Sequence, residues 1–202
     1  MRMRTIFLTG LLLISNGAAQ AADPRYPDWP CVQAKVPEIS LAAVWAGPPI
    51  DDVANAWKDD PEIAGLVEQL AARRVPVEQA QKSVTAFLAR SPDKAKAGRL
   101  IFAGLFDNLN AQRSTVLNGL ERVTRKQREA VEKIRADSAA LQSLQASPTP
   151  DQAKLDELNN QVLWEARIFE DRRRVVAFVC EVPTIIDQRL FALSRVIQQE
   201  ME

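Results

Sequence analysis

The feature that most constrains this chain is an apolar stripe running through residues 91–202. Apolar side chains fall on alternating steps of three and four at Phe106, Leu109, Val116, Leu120, Val123, Ala130, Ile134, Leu141 and Leu144. The pattern returns at Leu155, Leu158, Val162, Phe169, Val176, Val179, Ile186, Leu190, Leu193 and Ile197. A mean period near 3.5 is the seam of a coiled coil, which needs a helical partner along its length. Only Ser147-Pro148-Thr149-Pro150-Asp151 separates the two stretches, so each is the other's nearest partner. The expected fold is all-α: a long antiparallel two-helix hairpin over 91–202, a coiled-coil-like stalk turning at 147–151. Aligning the seams pairs positions whose numbers sum to about 299, so that Gln127 meets Arg172, Ala130 meets Phe169 and Leu120 meets Val179. The polar seam positions Arg113, Gln127, Asp137, Glu165 and Arg172 are candidates for fixing register. Thr149 is the expected cap of the second arm, with Pro150 in its first turn and Gln152 completing a capping box. Pro183 removes a helical hydrogen bond and crowds the preceding turn, predicting a kink or break near 183 with a restart at Thr184 and Asp187.

The opening of the first arm, Leu100-Ile101-Phe102-Ala103-Gly104-Leu105-Phe106, is apolar nearly all round and must be covered on several sides. The available cover lies upstream, in short helices and a proline-rich arm. Residues 37–90 read as a small N-terminal head of short helices packing on the base of the hairpin. One is expected to open at Pro37 and run through Leu41, Val44 and Trp45, and one starts at Asp60-Pro61-Glu62, where Asp caps and Pro takes the first helical position. The next begins at Val75-Pro76, and Ser91-Pro92-Asp93 repeats the cap-plus-proline signal for the long arm. Residues 22–36 carry Pro24, Pro27 and Pro30 between Tyr26 and Trp29, a density that blocks helix and sheet interior. They are expected to form a Pro-rich extended arm, docked on its own domain or serving as a ligand for a partner.

Residues 1–21 read as a secretory signal peptide: Arg2 and Arg4, an apolar core from Thr5 to Ile14, and small residues before a cleavage site near Ala21. The alternative is an uncleaved N-terminal anchor. No later apolar run approaches the roughly 18 residues of a membrane helix, so no integral membrane span is expected in the mature chain. The predicted location is periplasmic or secreted. Loss of Arg2 and Arg4 leaves 24 basic against 26 acidic residues, a balance with no drive toward nucleic acid. The chain has no histidine, which excludes c-type haem attachment, His-ligated metal and every His-based triad. No cofactor or metal site is expected. Cys31 and Cys180 are the only cysteines and, in an oxidising compartment, are expected to pair.

The strongest charged cluster is a basic belt midway along the stalk: Arg122, Arg125, Lys126 and Arg128 level with Arg172, Arg173 and Arg174. Such a belt binds anionic groups through fixed guanidinium forks, or else is a solvated face in which Glu121–Arg125, Glu129–Lys133 and Glu170–Arg174 pair at i,i+4. Trp164 on the otherwise polar stalk is a candidate interface aromatic. Asp51-Asp52 and Asp59-Asp60 lack the glycine-bearing loop of a calcium site and abut helix starts, which favours capping. Glu165 alone is no catalytic signature. These features point to an exported, non-enzymatic adaptor or scaffold acting through protein–protein contacts, with a homodimer as a further expectation. The alternatives are a holdase-type chaperone and an enzyme with a carboxylate or Arg site in the head.

Overall fold

The computed structural model describes residues 23–202. The signal-peptide expectation for residues 1–21 lies outside the described residues. Within them the protein is all-helical, with six α-helices: α1 Leu41–Val44, α2 Pro61–Ala71, α3 Val77–Arg90, α4 Lys94–Gln145, α5 Gln152–Val179 and α6 Val182–Met201. Two 3-10 turns, Asp51–Val53 and Ala56–Asp59, link α1 to α2. No described helix is long and apolar enough to cross a membrane.

The core forms around the first third of α4. Leu100, Ile101, Phe102, Ala103 and Leu105 are all buried, as an apolar circumference requires. Cover comes from α2 on one side and from α6, which also packs on α3, on another. Trp45 stacks on Phe102 at 4.0 Å between ring centroids and donates its indole N–H to Pro48 O at 2.7 Å. At Gly104 an added Cβ would lie 2.7 Å from Val67 Cγ2 and 2.9 Å from the Trp57 ring. Glycine there lets these two side chains lie against the helix, so its propensity cost of about 1 kcal/mol is offset by packing.

Helix boundaries follow capping chemistry, with four corrections to the sequence expectations. Asp60 accepts from the N–H groups of Glu62 and Ile63, and Pro61 opens α2, as read. The long helix is capped by Asp93, which accepts from Lys96 N, not by Ser91. Ser91 instead donates to Phe87 O at the end of α3. The helix after the turn is likewise capped by Asp151, accepting from Lys154 N, not by Thr149. In both places a carboxylate two residues beyond the hydroxyl takes the cap, where its charge also meets the positive helix end. The short first helix starts at Leu41, four residues after Pro37. The break at Pro183 is present, but α6 begins at Val182 with the proline in its first turn, and Asp187 is drawn away to Arg113 rather than serving a restart.

α4 has 52 residues, about 78 Å of helix at 1.5 Å per residue. Its second half pairs with α5. Gln127 Nε2 donates to Phe169 O at 3.2 Å, Lys133 Nζ lies 2.6 Å from Glu165 Oε1, and Gln161 Nε2 reaches Asp137 at 3.1 Å. These contacts set a register within three residues of the one expected from the seams. Arg172 is the exception: it is exposed, not a seam group.

Residues 23–40 run down one face of α4 toward its N-terminus. Asp28 meets Arg125 and Arg128, Lys35 meets Glu121, Arg113 takes the carbonyls of Val36 and Pro37, and Ile39 N bonds Asn110. The expectation that this segment helps cover Leu100–Phe106 is corrected: it covers the middle of α4, and α6 covers the apolar opening. Cys31 and Cys180 form a disulfide with Cα atoms 5.5 Å apart, fastening the segment where α5 meets α6. Gln33 adds a bond to Cys180 O.

Candidate functional site

The groove between α4 and α5 forms a cavity of about 640 Å³. Its floor is aliphatic: Val116, Leu120 and Val123 from α4 meet Val175, Val176 and Val179 from α5. Arg122, Lys126 and Arg172 stand on its rim, with Asp171 the one carboxylate among the lining residues. The floor exists because this stretch of the seam has only two helices to fill it. Gly119 deepens the groove, since an added Cβ there would meet nothing within 4 Å. Leu120 is buried, but Val175 remains 59% exposed.

The seven residues of the sequence-predicted belt divide into three groups. At about 100° per residue, neighbours on α4 point to different faces. Arg125 and Arg128 turn to the N-terminal segment, where Asp28 lies 3.0 Å from Arg125 and 2.7 Å from Arg128, and Arg128 also donates to Pro27 O. The Arg125 hydrogen bond, reinforced by the Arg128 charge, holds the Asp28 carboxyl below the usual carboxylate range. Arg173 and Arg174 pair one turn back, with Glu170 at 3.2 Å and Asp171 at 3.7 Å. Arg122, Lys126 and Arg172 gather at the groove and make no ion pair among the described residues. The i,i+4 pairs expected for a solvated face are replaced. Glu121 goes to Lys35, Lys133 goes to Asp137 and Glu165, and Arg174 goes to Asp171.

Trp164 is 65% exposed. It lines a smaller depression with Lys133, Glu165, Ile168 and Phe169, and this depression shares Arg172 with the main groove. Glu165 therefore sits in a polar cluster with Lys133 and Gln161. The hydrogen bonds Lys133 donates to Asp137 and then to Glu165 raise its ammonium above the ordinary value, and Lys133 lowers Asp137. Other large apolar side chains on α5 and α6 are also open to solvent: Phe178 is 79% exposed, and Leu163, Ile185 and Phe191 lie near half or above.

The acidic pairs upstream act as structure. Asp60 caps α2, and Asp52 pairs with Arg99. The concavities beside α2 and α3 contain the Glu62–Arg90 pair at 3.4 Å and the capping residues Asp60 and Asp93. Ser83 there donates to Gln79 O within its own helix. Among the described residues no group of three or more Cys, Asp or Glu side chains is placed to hold a metal ion.

Two buried guanidinium groups complete the polar framework. Arg113, 3% exposed, donates to Asp187 at 2.8 Å and to two carbonyls of the N-terminal segment. Burial pushes the Asp187 carboxyl up, against the opposing pull of Arg113. Arg189 donates to Leu70 O at 2.6 Å and Val75 O at 2.8 Å, tying α6 to the end of α2, and burial lowers its pKa. The sequence reading missed Arg189, although its place between Ile186 and Leu193 on the apolar stripe of α6 was the available signal. It also missed the groove, because its floor residues other than Val175 read as a filled seam. No protein-family model, curated protein or solved structure matches the chain.

Proposed function

We propose that this protein is an exported, periplasmic adaptor or scaffold without enzymatic activity. In this reading α4 and α5 form a coiled-coil-like hairpin stalk whose open face binds a partner protein. The N-terminal segment is a Pro-rich arm strapped to the opposite face by its disulfide. The observation that carries the proposal is the groove: an aliphatic floor with a cationic rim, left uncovered along one face of a two-helix layer. Soluble proteins seldom leave a contiguous apolar patch open without using it. Export is supported by the positively charged, apolar N-terminal sequence and by the paired cysteines, which suit an oxidising compartment.

The test is capture in periplasm with a photoreactive residue in place of Trp164. An adaptor gives one dominant crosslinked partner. A broad set of exported clients would instead establish a holdase, a reading favoured by the exposed Phe178, Leu163 and Trp164. Crosslinks to the same chain alone would identify a homodimer interface.

A further inference from the structure

We infer that the groove accepts one amphipathic helix of a partner protein, with acidic residues flanking its apolar stripe. This rests on the adaptor reading above and specifies the chemistry of the partner. Four observations lead to it. The main groove and the Trp164 depression share Arg172, so they form one trough on a single face. On α4 the trough runs from Thr115 to Lys133, roughly 27 Å of helix axis or five turns. That length suits a helix carrying apolar anchors at i, i+3/i+4 and i+7, with Trp164 as an aromatic contact at the distal end. A third helix would also complete the packing that two helices leave open, since each buries only one stripe against the other.

The second observation is charge. Arg122, Lys126 and Arg172 make no ion pair among the described residues, whereas Lys133 is paired with Asp137 and Glu165. Asp171 is shared with Arg174. The trough therefore presents an excess of positive charge to its occupant, and guanidinium forks match carboxylates in bidentate geometry.

The third is that the same excess disfavours occupants from this chain. A second copy facing groove to groove would bring the two rims together, along with the neighbouring Arg173 and Arg174. The N-terminal stretch carries Arg2 and Arg4 and no acid, the wrong sign for this rim. The fourth is that the groove is open to solvent: Val175 in its floor is more than half exposed. A small amphiphile would remain largely wet there, whereas binding sites for such molecules enclose most of the ligand surface. A helix covers the trough as a lid.

The experiment uses the mature, oxidised protein and three labelled synthetic peptides of about 18 residues, matched to the trough length. One has an aliphatic stripe flanked by Glu. The second has Lys at the flanking positions. The third is a scramble of the first that keeps its charge but not its stripe. Fluorescence anisotropy gives each affinity. Gly119→Leu fills the groove from a position where a Cβ meets nothing within 4 Å, so the fold is expected to be retained. Circular dichroism and thermal melting verify that. Lys126→Glu with Arg172→Glu reverses the rim.

The acidic amphipathic peptide is expected to bind at least about tenfold more tightly than either control, and Gly119→Leu to remove about tenfold or more of that affinity. The charge-reversed rim is expected to switch preference to the Lys peptide. Equal binding of the acidic and basic peptides, no binding of any peptide, or binding unaffected by Gly119→Leu overturns the inference. So would Gly119-sensitive binding of phosphatidylglycerol vesicles or of oleate in place of the peptide, or self-association abolished by Gly119→Leu. In all these cases a single partner crosslinked at Trp164 would still uphold the adaptor reading, so the two fail separately.

Discussion

The two halves of α4 are stabilised in different ways. From Ala97 to Leu120 the helix carries twelve buried residues, covered in turn by α2, α6 and the N-terminal segment. Beyond Leu120 no residue of α4 is buried, and α5 has none along its whole length. The seam continues through both halves with the same spacing, so local sequence does not make the difference. The number of neighbours does. A helix surrounded on several sides buries its whole circumference, whereas a pair of helices buries one stripe each and leaves aliphatic side chains such as Val175 to solvent. The lesson is that a continuous heptad pattern says where a helix needs a partner, not how many it has found.

Deleting core volume or the disulfide tests this contrast with the largest effects. Leu105→Ala or Leu190→Ala, at fully buried positions, is expected to cost about 3–4 kcal/mol. Ile134→Ala or Leu141→Ala, at half-buried positions of the distal pair, is expected to cost no more than about 1.5 kcal/mol. Denaturant melts read both, and equal losses would erase the distinction. Removing the disulfide by Cys31→Ser and Cys180→Ser acts at the boundary of the halves. Its sequence separation is 149, for which chain entropy gives up to about 5 kcal/mol, less for any residual structure in the unfolded chain.

Polar contacts come next. Arg189→Ala leaves the carbonyls of Leu70 and Val75 without their donor inside the base and is expected to cost about 2–3 kcal/mol. Asp187→Ala removes the carboxylate from buried Arg113, and because Asp187 is itself partly exposed the expected loss is smaller, about 2 kcal/mol. Both are read as shifts in denaturant midpoint.

The smallest effect is one of pH. The Asp28 carboxyl is held low by Arg125 and Arg128, so its contribution is present above the usual carboxylate pKa and is lost as pH falls through the depressed value. Asp187 has the opposite sign: its pKa is raised by burial, so ionisation weakens the fold relative to the protonated acid, which still accepts from Arg113 where alanine could not, and that cost disappears on acidification. Lowering the pH therefore loosens the attachment of residues 23–36 before the base melts. Limited proteolysis across the acidic range detects it. With Asp28→Asn the segment's protection at neutral pH falls, and its dependence on acid weakens.

Much of the base was legible because its signals are local. Asp60-Pro61-Glu62 places the start of α2, and the unbroken apolar run Leu100–Phe106 announces a helix that must be surrounded. Ser91-Pro92-Asp93 and Thr149-Pro150-Asp151 each contain two competing caps, and the carboxylate won both times, shifting the boundary by two residues. The division of the basic belt was not legible, because the partner of Arg125 and Arg128 is Asp28, about a hundred residues away, and no spacing rule connects them. The groove is invisible in sequence for a related reason. Val116, Leu120, Val176 and Val179 carry the same pattern whether two helices or three meet around them.

The most direct measurement compares two adjacent positions. Arg125 pairs with Asp28 of the N-terminal segment, while Lys126, one residue on, stands at the rim of the groove. A photoreactive residue is placed at each position in turn, and crosslinking is carried out in periplasm. The account predicts that the probe at 126 yields a discrete partner through an acidic amphipathic helix, while the probe at 125 crosslinks only to residues 23–36 of its own chain. Equal capture from both positions, or partner capture from 125 alone, would contradict it.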